Sequence, residues 1–196
     1  MALRKIMPRT SHDALNRLRH AALELFAENG FEQTTAAQIA ARAGLTERTF
    51  FRHFPDKREV LFDGQEILAA ALTDAIQKAP AGLSPIEILR EAFAAVTPLL
   101  EGNRQFSEPR RHIIAAAPAL LEREVAKHAA LARIVAQALQ QKGIEKLHAG
   151  LAAEAGLAVL GHAIELWFDD ANLPLADCIA QAFSSLQLFV APAKDL

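Results

Sequence analysis

The stretch FAENGFEQTTAAQIAARAGLTERTFFRHFPDK, residues 26–57, decides how this chain is read. Gly30 closes an apolar-periodic segment and suits the left-handed position just past a helix end. Thr35 and Gln38 stand at capping-box spacing and open a short second helix through Ala43, which ends at Gly44. Only Leu45 then precedes Thr46, a good N-cap for a third helix reaching about Phe54 before Pro55 breaks it. Two short helices joined by a tight glycine turn make a helix-turn-helix. Ile39, Ala40, Leu45, Phe50 and Phe54 are placed to lock the pair against Leu25 and Phe26 of the preceding helix.

At about 100° per residue, Phe50 and Phe54 share one face of the third helix, so Glu47, Arg48, Phe51 and Arg52 point away from the core. Such a free face is equipped for a DNA major groove: arginine bonds guanine O6 and N7 together, and glutamate accepts from cytosine N4. Thr35, at the start of the second helix, offers a hydroxyl and backbone N–H groups to a phosphate. Lys57, just inside a fourth helix capped by Asp56 and Glu59, repeats that arrangement with a cation. Thr46, Thr49 and His53 flank the reading face and would set register on the backbone. His53 reads equally as a helix-end histidine bonding a carbonyl.

Outward from this segment the whole chain reads as helix. A first helix spans about 11–29, with Leu15, Leu18, Ala22, Leu25 and Phe26 on one face, and the fourth runs over 56–78. After Ala79-Pro80-Ala81-Gly82, the run Ser84-Pro85-x-Glu87 supplies N-cap, first-turn proline and capping-box acid together. Further helices read over 85–100, 104–116, 119–141, 145–169 and 175–190, about nine in all. The expected organisation is all-α: a helix-turn-helix domain at 1–55 with a basic N-terminal arm (Arg4, Lys5, Arg9), a connecting helix at 56–78, and a helical ligand-binding and dimerisation domain at 79–196.

Composition bounds the function classes. The chain has 196 residues, 52% of them hydrophobic and 22% charged, which excludes a disordered chain and allows a real core. A single cysteine, Cys178, excludes a disulfide framework or a multi-cysteine zinc site and fits a reducing compartment, hence a cytoplasmic protein. Purely apolar runs fall short of the ~18–20 residues of a membrane span, so no membrane association is expected. The net charge of −2 hides an asymmetry: residues 1–60 carry +3 and residues 61–196 carry −5. A basic head on an acidic body is compatible with a nucleic-acid reader.

The run Phe26-x3-Gly30-Phe31-x2-Thr34-Thr35-x3-Ile39-Ala40-x2-Ala43-Gly44-Leu45-Thr46, continued by Arg48-Thr49-Phe50-Phe51-Arg52-His53-Phe54-Pro55-Asp56-Lys57, resembles the DNA-binding domain of tetracycline-repressor-type (TetR family) regulators. The resemblance covers about residues 11–62. It implies a homodimeric repressor that grips an inverted-repeat operator in double-stranded DNA and is released by a small, largely apolar molecule. By position it carries phosphate contacts to Thr35, Phe51, His53 and Lys57, and base contacts to the neighbourhood of Thr46, Glu47, Arg48 and Arg52. Where the family usually has a tyrosine this chain has Phe51, which has no hydroxyl for a phosphate.

In the C-terminal part, Gly150, Ala153, Gly156, Leu160 with Gly161, and Ile164 recur at helical spacing. In the last helix Ile179, Ala182, Phe183, Leu186 and Val190 form an apolar face. These faces read either as bundle core or, by the resemblance, as a four-helix dimer interface through Gly156, Leu160, Gly161, Ile164, Phe183 and Leu186. Phe93, Phe106, His112, Trp167 and Phe168 are the candidate lining of an effector chamber. His162 and Glu165 lie one turn apart, but no second ligand-rich segment completes a metal site. No catalytic motif is present, so neither enzyme activity nor a cofactor is expected. An all-helical partner-binding module, and less favourably a helical metal-dependent enzyme, are the alternatives.

Overall fold

The computed structural model describes residues 9–170 and 172–190, with side chains from 13 to 170 and from 172 to 188. Arg4, Lys5 and the side chain of Arg9, the expected basic arm, lie outside the described residues. Nine α-helices and no strand are found among them: α1 (Arg9–Asn29), α2 (Ala36–Arg42), α3 (Glu47–His53), α4 (Gln65–Lys78), α5 (Pro85–Glu101), α6 (Arg104–Ala115), α7 (Pro118–Gln141), α8 (Lys146–Asp169) and α9 (Leu175–Val190). The capping residues read from the sequence act as caps. The Thr35 hydroxyl accepts from Gln38 N while the Gln38 side chain returns to Thr35 N, and Ser84 with Glu87 repeats the device at α5.

The fourth helix, however, does not begin at Asp56. The Asp56 carboxylate accepts from the backbone N–H groups of Arg58 (2.7 Å) and Glu59 (3.3 Å), but this cap starts only a 3₁₀ turn, Glu59–Leu61. Val60, Leu61 and Phe62 are all buried. Three consecutive residues sweep about 200° of an α-helix, so one helix could not bury them all on a single face. Gly64, at φ +92°, then turns the chain into α4.

Packing groups the residues otherwise than the linear partition into 1–55, 56–78 and 79–196. One compact unit, the head, consists of Met1–Asp63 with Arg104–Val125; the other, the body, of Gly64–Asn103 with Ala126–Leu196. In the head, Leu18, Phe26, Ile39 and Phe50 share one core with Phe106, Ile113, Ile114 and Leu120. Burial of a side chain such as Phe106 stabilises by roughly 1.5–3 kcal/mol. The Arg19 guanidinium lies 3.8 Å from the centre of the Phe106 ring, Arg110 bonds the Leu61 carbonyl, and Arg123 pairs with Glu59 at 2.7 Å.

The body core is built around α8. Ala149, Ala153, Leu157 and Trp167 are among its buried residues, packed in one cluster with Leu72, Leu89, Phe93 and Cys178. By length and composition α8 alone, among the described residues, could cross a membrane, but half of its apolar window is buried within the body. Its hydropathy is that of a core helix.

Candidate nucleic-acid interface and effector groove

In the head, Thr34 is the buried hinge pin of the loop between α1 and α2: its hydroxyl donates to Gly30 O (2.9 Å) and Leu25 O (3.2 Å). The turn between α2 and α3 passes through Gly44 at φ +65°, with Leu45 N donating back to Ala40 O at 2.8 Å. A left-handed glycine is what this turn requires. Thr46 then caps α3, accepting from Thr49 N, and the two hydroxyls lie 3.0 Å apart.

The third helix divides as its periodicity predicts. Phe50 and Phe54 are buried, their rings 5.4 Å apart, while Glu47, Arg48, Phe51 and Arg52 are exposed. Phe51 is 49% exposed and meets Phe50 edge-on. Thr49 and His53 are half-buried at the margins. The Nε2 atom of His53 is buried and finds no partner, so the alternative of a carbonyl-bonded Nε2 is not realised. Burial, and then the nearby Arg52 charge, push the His53 pKa down. With the folded value below the ordinary one, the head loses stability as pH falls through the unfolded imidazole value, and His53 is a neutral ring above it.

Lys57 departs from expectation. It lies in the loop before the 3₁₀ turn, not inside a helix, and its ammonium is directed inward. Nζ donates to Phe31 O (2.8 Å), Thr34 O (3.0 Å) and Glu32 O (3.3 Å) and sits 4.2 Å from the Phe31 ring centre. An ammonium has three protons to donate, and three carbonyls receive them. The lysine is a strut under the loop that presents Thr35, and not a free phosphate ligand. Other head cations are engaged too: Arg42 holds Glu24 and Glu28, Arg58 holds Asp56, and Arg17 bonds the Ala43 carbonyl. Among the described head residues, Arg48 and Arg52 are the cations with no protein partner. Both lie on the exposed face of α3.

The five residues expected to line an effector chamber divide between the two units. Phe93 is fully buried and stacks on Phe183 at 5.9 Å; Trp167 and Phe168 stack on each other at 5.3 Å within the same core. Phe106 belongs to the head core, and His112 is exposed on α6. These aromatics fill cores because their area stabilises packing. Open space lies in a groove of about 680 Å³ along α5, α8 and α9, with Ile86, Ile144, Leu151, Ala155, Phe183 and Leu186 among its walls and Glu145 and His148 at its rim.

The residues expected at a dimer face divide between core and surface. A Cβ at Gly156 would lie 2.6 Å from Leu89 Cδ1 and 3.5 Å from Phe93 Cζ, so this glycine admits α5. Leu160 and Phe183 are buried, and Ile164 and Leu186 pack against the body core. Gly161 alone of the six is fully outward, with open space around it. The outward stripe of α8 runs instead through Ala158, Gly161, His162 and Glu165.

The family model for "Bacterial regulatory proteins, tetR family" matches residues 18–63, and the model for the "MftR C-terminal domain" matches residues 83–190, more than half the chain. The chain belongs to the TetR family. This TetR-family protein is 40% identical over 94 residues to the HTH-type transcriptional regulator TcmR of Streptomyces glaucescens, a match spanning 48% of this chain and 40% of that one. It is 24% identical over 165 residues, 83% of each chain, to the putative mycofactocin biosynthesis transcriptional regulator MftR of Mycobacterium tuberculosis. The fold is shared with Thermus thermophilus FadR, a repressor solved with lauroyl-CoA (TM-score 0.56, 22% identity, 92% of this chain and 97% of that one). As a TetR-family member the chain is a DNA-binding transcriptional regulator.

Sequence reasoning placed the exposed face of α3 in this TetR-family head but missed the roles of Arg17 and Arg42 and the inward turn of Lys57. The contacts that define those roles reach partners 14 to 27 positions away in sequence, beyond helical periodicity.

Proposed function

We propose that this protein is a cytoplasmic homodimeric repressor that reads an inverted-repeat operator with α3 of each copy and leaves DNA when an apolar small molecule binds. The observation that carries the DNA half is the pair of unpartnered, exposed guanidiniums of Arg48 and Arg52 on a helix whose other face is locked by Phe50 and Phe54. Thr35, Thr46, Glu47, Thr49, Phe51 and His53 border that face, with phosphate contacts at the rim and bases at the centre. Two such helices must meet successive major grooves about 34–36 Å apart, which a dimer provides. The outward faces of α8 (Ala158, Gly161) and α9 (Ala180, Ser184) carry residues small enough for close helix approach.

Selection of DNA from random sequence tests both halves. Wild type should enrich an inverted repeat. Gly161→Arg, which meets open space within its own subunit, should fold normally, stay monomeric at micromolar concentration and enrich no more than half-sites. No enrichment by wild type removes the operator reading, and a dimeric Gly161→Arg removes this interface. The partner-binding alternative predicts the first of those results.

The effector half rests on the groove along α5, α8 and α9, whose volume and apolar walls suit a drug-sized apolar ligand. Triclosan, the ligand in the solved SmeT complex that shares this fold, is the first probe. At a hundredfold excess over its Kd it should raise the melting temperature by about 5–10 °C and lower operator affinity. Ala155→Trp, which obstructs the groove, should abolish both responses while the free protein binds operator as before. A variant that still responds would place the effector elsewhere.

A further inference from the structure

The α2 helix ends at Ala43, and the turn to α3 uses the backbone N–H groups of Gly44 (to Ala41 O, 2.9 Å) and Leu45 (to Ala40 O, 2.8 Å). That leaves the Ala43 and Gly44 carbonyls at the negative end of α2. Both face one side chain of α1. The Arg17 guanidinium donates to Ala43 O and, at 3.4 Å, to Gly44 O, while its other nitrogen lies 3.8 Å from Asp13. Gly44, left-handed at φ +65°, also leaves room for this contact: a Cβ there would come within 2.7 Å of the Arg17 Nη2. Thr46, two residues on, starts the reading helix. From the other side of the same joint, Arg42 in the last turn of α2 grips Glu24 and Glu28 of α1, at 3.1 and 2.8 Å.

We propose that Arg17 is a positioning residue for operator reading, a guanidinium that caps the carbonyl end of α2 and thereby fixes the direction in which α3 leaves the turn. A base-reading arginine must arrive in the groove with both nitrogens in register, so a change of a few degrees in α3 costs sequence preference more than it costs phosphate attraction. Arg17 therefore governs the ratio of operator to random-DNA affinity without touching a base. The inference rests on α3 as the reading helix.

The test uses the full-length protein on its selected operator and on random DNA, across a salt series, with melting curves alongside. Arg17→Met should weaken operator binding about tenfold, leave random-DNA binding within twofold, and leave the salt slope unchanged. Arg17→Lys should restore most of the loss, since an ammonium donates to carbonyls as Lys57 does in the same head. Gly44→Ala reaches the same contact without removing the charge but also strains the turn, whose φ is +65°. It is therefore read only as the difference between the wild-type and Arg17→Met backgrounds. Arg17→Gln carries the test if Arg17→Met does not fold. The Cβ added by Gly44→Ala displaces the guanidinium, so operator preference should fall in wild type and fall less in the Arg17→Met background. Three results overturn the role. They are unchanged operator affinity in these variants, full additivity of Arg17→Met with Gly44→Ala, or equal losses on both DNAs with a salt slope shallower by about 0.9 per head, the mark of a phosphate ligand. Arg48→Ala measured in parallel separates the two levels. If it too is silent, the α3 reading has failed; if it alone is effective, only the positioning role has.

Discussion

Gly156→Arg should leave no folded body. The position is buried between α8 and α5, where even a methyl group would come within 2.6 Å of Leu89 Cδ1, and Leu89 and Phe93 are themselves fully buried. Overpacking of this kind costs typically 1–3 kcal/mol before any charge is considered. A guanidinium placed there adds the desolvation of an unpaired cation, which is several kcal/mol more. The sum approaches the whole stability of an ordinary domain, about 5–15 kcal/mol. The expected result is loss of the cooperative melting transition, with association and operator binding lost together at every protein concentration. Gly156→Ala should retain the fold at a reduced melting temperature. A soluble Gly156→Arg protein melting like wild type would mean that α8 does not pack on α5 through this residue. The contrast with Gly161→Arg, five residues on and facing open space, separates a core defect from an interface defect.

Arg48→Ala should cost the operator at least roughly thirtyfold. A bidentate arginine–guanine pair discriminates by about 1–3 kcal/mol, and a dimer makes the contact twice. Random DNA should lose far less, and base preference should relax at one position in each half-site. Lys57→Ala should behave in the opposite way. Its ammonium supports the carbonyls of Phe31, Glu32 and Thr34, and each lost hydrogen bond of this kind costs about 1 kcal/mol. The melting temperature of the head should therefore fall, operator and random DNA should weaken alike near the transition, and the salt slope should not move. A Lys57→Ala protein of normal melting temperature, with a slope shallower by about 0.9 per head, would restore this residue to the phosphate contacts.

What the sequence made legible follows the range of the interactions. Caps are local, so Thr35 with Gln38, Thr46, and Ser84 with Glu87 were readable from spacing alone and place α2, α3 and α5. The same local chemistry at Asp56 misled, because nothing within a few residues shows that Val60, Leu61 and Phe62 are all claimed by one core. The phase of α8 was hidden for another reason. Alanine and glycine populate both of its faces, so Gly156 and Gly161 look alike in sequence although one is enclosed and the other open. Phe106 and His112 were placed with the body by position in the chain, while contacts across more than forty residues assign α6 to the head.

That assignment constrains how such a protein can be rebuilt by recombination. A single crossover after residue 63 would carry α1 to the 3₁₀ turn onto a foreign body but leave behind Phe106, Ile113, Ile114 and Leu120, which belong to the same core. The transplanted reader would arrive with an apolar wall exposed. Exchange of operator specificity between relatives is therefore expected to proceed by substitution on α3, or by paired exchanges that also bring residues 104–125, and not by shuffling an N-terminal cassette.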